Sequence, residues 1–93
     1  MFIPLADVTR TVGVSEFHPS ELLRLSGSGY LVLAGREHAI AELSATGEVV
    51  AGAHLRRRDH PQAEGLALAP DGSLLVADEG GTGRGTISVY RPR

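Results

Sequence analysis

The chain of 93 residues contains no cysteine and no tryptophan, and its four aromatic residues are Phe2, Phe17, Tyr30 and Tyr90. The absence of cysteine excludes disulfides, zinc–thiolate sites and thiol nucleophiles. The scarcity of aromatic side chains argues against platforms that stack nucleic-acid bases. Because the net charge is -2, the chain has no general attraction to nucleic acid or to anionic membranes.

Long hydrophobic runs are also missing from the chain. No apolar run approaches the roughly 18 residues that suggest a membrane-spanning helix. The first residues, MFIPLADVTR, lack the basic and apolar regions of a signal peptide. We therefore expect no transmembrane segment, and a signal for export would lie upstream of this chain. The length allows one domain at most, with ordinary globular composition.

Glycine is abundant, and its twelve residues separate short apolar runs. No run keeps a helical period for three turns, and turn signals such as Pro70-Asp71-Gly72 lie between the runs. This pattern predicts an all-β fold. The predicted strands are Glu21–Leu25, Tyr30–Ala34, Ala39–Leu43, Glu48–Leu55, Glu64–Ala69, Ser73–Ala77 and Thr86–Tyr90, with a weaker run at Phe2–Val14.

An internal repeat suggests how these strands are organised. The segment ELLRLSGSGYLVLA, which begins at Glu21, aligns with EGLALAPDGSLLVA, which begins at Glu64, at an offset of 43 residues. The alignment places Gly29 on Gly72 and Leu31 on Leu74. A period of about 40–50 residues made of four short strands is typical of propeller blades.

We therefore predict two blades of a β-propeller, each a four-stranded antiparallel meander. The first blade covers about residues 17–58 and the last, with three strands present, about residues 62–92. Residues 1–14 are expected to be an outer strand or a linker from a preceding blade. Because propellers need at least about four blades, the chain is expected to be part of a longer propeller or to associate with other copies.

The register of the two hairpins can also be predicted. A turn at residues 70–72 makes Leu66 face Val76 and Leu68 face Leu74. The same register makes Glu64 face Asp78. In the first hairpin it is Glu21 that faces Gly35, with Leu23 opposite Leu33.

Two acids opposed across a hairpin repel each other unless something relieves the repulsion. Calcium, which takes six to eight oxygen ligands, would do so at the strand ends. Glu64 and Asp78, with Glu79, are therefore the candidate metal ligands. In the alternative interpretation, Glu64 accepts backbone N–H bonds or pairs with Arg84, while Asp78 and Glu79 lie in solvent.

The run from Phe17 to Pro92 resembles the C-terminal part of the SdiA-regulated family of bacterial proteins, which are similar to NHL-repeat propellers. The resemblance rests on the ordered set Pro61-Gln62-x-Glu64-Gly65, Asp71-Gly72 and Asp78-Glu79-Gly80. It implies a five-bladed propeller with calcium in its channel region and a place in the bacterial cell envelope. Glu64 is the first calcium ligand that it implies, followed by Asp78 and Glu79. The implied role is binding or scaffolding, with the remaining blades or other copies of the chain as partners.

An enzymatic alternative remains open. The segments EGLALAPDG and VADEG also resemble, more loosely, the blades of esterase-like phytases and gluconolactonase-like enzymes, which use a divalent metal in the channel. A metal-dependent hydrolase of that type is therefore the second hypothesis. No Gly-x-Ser-x-Gly elbow is present, so no catalytic residue is predicted. The four histidines lack metal-ligand spacing and are expected in loops or at strand ends: His18, His38, His54 and His60.

Overall fold

The computed structural model describes residues 5–25, 27, 29–80 and 83–91. Within these ranges the chain forms one helix and two antiparallel sheets, in the orders β1-β2-β3-β4 (sheet 1) and β5-β6-β7 (sheet 2). The all-β prediction is confirmed, and the seven strands predicted between residues 21 and 90 are each found within one residue at each end. In the same ranges no helix is long and apolar enough to cross a membrane. The elements are α1 Leu5–Val12, β1 Glu21–Arg24, β2 Tyr30–Ala34, β3 Ala39–Leu43, β4 Val49–His54, β5 Ala63–Leu68, β6 Leu74–Asp78 and β7 Thr86–Tyr90.

Helix α1 lies in the segment where an outer strand or a linker was expected. Val8 and Val12 are four residues apart, and both are buried on the same side of the helix. Gly13 then ends the helix with a φ of 81°, and the N–H groups of Gly13 and Val14 donate to the Thr9 carbonyl at 2.8 and 3.1 Å. Helical spacing of the two valines, followed by a glycine cap, thus favours a helix over a strand.

One face of sheet 1 is covered by this helix. Gly52 in β4 marks the closest approach, since a Cβ there would lie 2.6 Å from Cγ2 of Val12. The ring of His54 also bonds the helix end, with Nε2 2.7 Å from the Val12 carbonyl oxygen. The core on this side consists of Val8, Val12, Phe17, Ala34, Ala39 and Ala41.

The other face of sheet 1 packs against sheet 2. Leu33 and Ile40 from sheet 1 are buried with Ala63 and Val76 from sheet 2. Leucines on both sheets surround this cluster: Leu31, Leu55, Leu66 and Leu74. Burial of these branched side chains on both sheets is what holds the two sheets together.

The hairpin of β5 and β6 has the predicted register over most of its length. Leu66 faces Val76 and Leu68 faces Leu74, as predicted. The turn closes as expected, because Gly72 adopts a φ of 89° and donates its N–H to the carbonyl of Ala69 at 2.9 Å.

The register of this hairpin departs from the prediction at its far end. A β-bulge between Ala63 and Gly65 makes Ala63, and not Glu64, the partner of Asp78. The predicted Glu64–Asp78 pair is therefore wrong, since the extra residue of a bulge is left without a partner opposite it.

In the hairpin of β1 and β2, the predicted register is wrong by two residues. Glu21 faces Leu33 and Leu23 faces Leu31. The N–H of Leu25 donates to the Gly29 carbonyl at 3.0 Å, so the hairpin closes earlier than predicted. Because side chains alternate with a period of two, this even shift keeps every side chain on the same face.

The two hairpins correspond at an offset of 44 residues, not 43. The bond from Leu25 to Gly29 has its equivalent in the 2.8 Å bond from the Ala69 N–H to the Ser73 carbonyl. Gly29 therefore corresponds to Ser73, and the match between Gly29 and Gly72 was misleading. A slip of one residue matters because it exchanges the two faces of a strand.

With this correspondence each sheet has a back face, marked by Val32 in sheet 1 and Val76 in sheet 2, and a front face, marked by Leu33 and Ala77. The back face of sheet 1 packs on α1, and its front face packs on the back face of sheet 2. The sheets therefore stack front to back, in the same sense. Among the described residues nothing covers the front face of sheet 2, where Ala77 is exposed.

Candidate functional site

A chain of hydrogen-bonded polar side chains, two of them buried and the third, Tyr90, exposed, lies on the back face of sheet 2. His60, in the loop before β5, is fully buried, and Asp78 at the end of β6 is 5% exposed. Nδ1 of His60 lies 2.7 Å from Oδ2 of Asp78, and the Gln62 N–H donates to Oδ1 at 3.1 Å. Nε2 of His60 bonds the hydroxyl of Tyr90 in β7. We call Asp78, His60 and Tyr90 the relay.

The chemistry of the relay follows from its acceptors. A carboxylate only accepts hydrogen bonds, so Nδ1 of His60 carries a proton toward Asp78. In the neutral ring Nε2 is then the acceptor for the Tyr90 hydroxyl. The relay joins the loop before β5 to β6 and β7, and it satisfies polar groups that would otherwise be costly to bury.

The two remaining acids of the predicted metal site lie apart from the relay. Glu64 is the bulge residue, its carboxyl group interacts with that of Glu79, and both residues are exposed. A hydrogen bond with Glu79, together with the negative charge of that residue, raises the pKa of Glu64. We call Glu64 and Glu79 the acid pair.

The structure therefore divides the three predicted ligands between two sites. Asp78 belongs to the relay, whereas Glu64 and Glu79 form the acid pair. The alternative that placed Asp78 in solvent is wrong, because Asp78 is buried. Calcium binding and the hydrolase hypothesis stay predictions.

A third group of acids and a histidine lies beside sheet 1. Within the described ranges, Glu16, His18 and Glu37 are the group of three whose ligand atoms all lie within 4.8 Å of one another. Glu37 accepts from the backbone N–H of His18 at 2.7 Å, and its other oxygen lies 2.6 Å from Nδ1 of that ring. Burial alone would raise the pKa of Glu37, but the bonds from His18 and the nearby charge of Arg36 lower it. These bonds tie the segment before β1 to the turn between β2 and β3.

The front face of sheet 2 is an apolar surface that carries a hollow and protruding side chains. A hollow of about 180 Å³ is lined by Gly65, Ala67 and Ala77, with Leu66, Leu75 and Ile87 around it. Beside the hollow, Ile87 is 69% exposed and Val89 is 53% exposed. Small residues thus form a depression next to two large, protruding side chains. We call this front face of sheet 2 the docking surface.

Sequence reasoning missed the relay. His60 was expected in a loop or at a strand end and was assigned no partner, and Tyr90 was assigned no role. The one available signal was the position of Asp78 at the end of an apolar strand, where a buried acid requires a partner. No protein-family model, curated protein or solved structure matches this chain.

Proposed function

We propose that this chain is a binding and scaffolding module of the β-propeller type, in which sheets 1 and 2 are successive blades. The observation that carries the proposal is the front-to-back stacking, which leaves the docking surface apolar and exposed. The resemblance to SdiA-regulated proteins supports a place in the bacterial cell envelope. In this proposal the module acts by packing its docking surface on another sheet.

The occupant that the docking surface fits best is a second copy of the chain. Ile87 protrudes beside a hollow formed by Gly65, Ala67 and Ala77. When two such surfaces meet about a two-fold axis, the protruding side chain of each copy faces the hollow of the other. Such a contact uses the same surface on both copies, and the docking surface carries both the protruding side chain and the hollow that receives it.

The energy of this contact comes from the side chains that are now exposed. Full burial of a side chain such as Ile87 or Val89 contributes about 1.5–3 kcal/mol. The hollow carries no charged residue in its lining, so packing does not require a charge to lose its water. An exposed apolar surface rimmed by polar residues is a common mark of an interaction site.

The oligomeric state in solution tests the proposal. We expect a dimer by light scattering coupled to gel filtration, and a monomer for Ala77→Arg, which places a charge in the hollow. Ala45→Arg is the matched control, since Ala45 is exposed in the turn between β3 and β4. It should remain dimeric. A wild-type chain that stays monomeric at the highest soluble concentration would contradict the proposal.

Calcium enters the proposal as a structural ion at the acid pair. The ion would neutralise two carboxyl groups that otherwise repel each other, and further oxygens would come from backbone carbonyls, water or a neighbouring blade. Asp78 is the weakest of the three predicted ligands, because both of its oxygens already accept hydrogen bonds.

A further inference from the structure

The two sheets differ in whether a fourth strand follows the third. In sheet 1, β3 is followed by a fourth strand, β4. In sheet 2, β7 is the equivalent of β3, and among the described residues no strand pairs with its outer side. Sheet 2 is therefore one strand short of its counterpart.

The backbone of β7 presents free pairing groups along this edge. The Ala69 N–H donates to the carbonyl of Ser73, so Ser73 and the residues two and four positions after it direct their backbone groups toward β5. Val76 therefore directs its groups toward β7, where it forms a bonded pair with Ser88. The intervening residues, Ile87 and Val89, therefore direct their N–H and C=O groups away from β6. Unpaired groups of this kind are a template for another strand.

A cleft of about 570 Å³ lies beside this edge, between the front face of sheet 1 and the back face of sheet 2. Most of its wall is apolar. The main apolar and aromatic residues that line it are Leu31, Ile40, Leu55, Leu74, Val76 and Tyr90.

The position of the cleft matches the strand that sheet 2 lacks. The front face of β4 carries Ala51 and Ala53, which are both exposed. Elsewhere the front face of sheet 1 is covered by strands of sheet 2, as at Leu33 and Ile40. A fourth strand beside β7 would cover the two alanines in the same way and would fill the cleft with its inward side chains.

We propose that the β7 edge binds an extended segment of another polypeptide as a fourth, antiparallel strand of sheet 2. Main-chain bonds to Ile87 and Val89 would supply the affinity, and the cleft would select apolar side chains at alternate positions. This site uses the edge of sheet 2, whereas the docking surface uses its front face. The two proposals therefore succeed or fail separately.

A labelled eight-residue peptide of alternating valine and threonine, with lysine at each end, is the probe. We expect saturable binding by fluorescence anisotropy, to the wild-type chain and to Ala77→Arg alike. In hydrogen exchange, the amides of Ile87 and Val89 should gain protection when the peptide binds. Val89→Pro removes an outward donor without touching the ladder to β6, and it should weaken binding roughly tenfold or more.

Two controls separate pairing from other effects. Val89→Thr keeps the N–H group and should bind the peptide like the wild type. If Val89→Pro does not fold, the wild-type chain is tested with a peptide N-methylated on its pairing amides, which should not bind.

Three results would overturn the inference. The first is the absence of peptide binding to the wild-type chain. The second is equal binding by Val89→Pro and Val89→Thr, because main-chain pairing would then play no part. The third is a wild-type dimer that Val89→Pro dissociates but Val89→Thr and Ala77→Arg do not, while the peptide does not bind, which would show that β7 pairs with its own copy.

Discussion

The three strands of sheet 2 have equivalents in sheet 1, but the two sheets differ in what surrounds these strands. Sheet 1 packs on α1 with one face and on sheet 2 with the other, and the two strands in its middle are largely buried. Sheet 2 has one covered face, and four of the five residues of β7 are exposed. Equivalent strands are thus covered on both faces in sheet 1, whereas in sheet 2 one face and one edge are exposed.

This difference teaches where stability and interaction reside. Sheet 2 compensates for its thin apolar packing with the buried hydrogen bonds of the relay, whereas sheet 1 depends on the fit of α1 against β4. The exposed groups of sheet 2 are therefore available for partners. Changes to the relay, to the fit of α1 and to the acid pair should have different effects, in that order of size.

The largest effect is expected from Asp78→Ala. The substitution leaves the buried ring of His60 and the N–H of Gln62 without their acceptor, which should lower the free energy of unfolding by about 3 kcal/mol. Urea denaturation measures the change. Tyr90→Phe removes only the last bond of the relay and should cost about 1 kcal/mol. Equal costs for the two variants would show that Asp78 does not anchor sheet 2.

A pair of glycines compares the covered sheet with the open one. Gly52→Ala places a methyl group against Val12, so it should cost about 1–3 kcal/mol through overpacking. Gly65→Ala places the same group 3.5 Å from Cβ of Ala77, an ordinary contact, and should change stability by less than about 0.5 kcal/mol. Urea denaturation of both variants tests the comparison. Similar costs would mean that the two faces are equally packed.

The smallest effect concerns the acid pair. The pKa of Glu64 is raised in the folded chain, so the folded state holds its proton more tightly than the unfolded state. Stability from this source is present below the ordinary pKa of glutamate and is lost as the pH rises through the raised value. Glu79→Gln removes the repulsion, so it should raise the melting temperature slightly at pH 7 and leave it nearly unchanged at pH 3.

Calcium extends the same measurement. If the ion binds the acid pair, calcium should raise the melting temperature of the wild-type chain at pH 7 but not that of Glu79→Gln. Glu48→Gln is the control, since Glu48 is exposed in the turn between β3 and β4. An equal response of all three proteins would remove the acid pair from the calcium proposal.

The strands could be predicted from sequence because each is a short apolar run between strong turn signals. The turn at Gly72 also fixed the register of most of its hairpin, since only a residue that tolerates a positive φ closes a loop of that length. The bulge at Glu64 was not predicted, although the glycine that follows it, Gly65, is a residue type that often marks a bulge inside a strand. One inserted residue was enough to separate Glu64 from Asp78.

The relay could not be predicted for a different reason. Tyr90 pairs with Leu74, at the opposite end of β6 from Asp78. The phenol side chain reaches back along sheet 2 to His60, which precedes β5, the first strand of that sheet. A contact of this kind depends on the length and direction of side chains across three elements, and no local spacing in the sequence reveals it.

Front-to-back stacking gives the molecule a direction. A front face packs on a back face, so a stack of such sheets always ends in two different surfaces. The stacking alone therefore sets no limit on the number of sheets. Helix α1 packs on the back face of sheet 1, the surface on which another sheet would have to lie to extend the stack in the same sense, and its residues Ala6 and Arg10 are exposed. Among the described residues, the one sheet face left open to a further layer is therefore the front face of sheet 2.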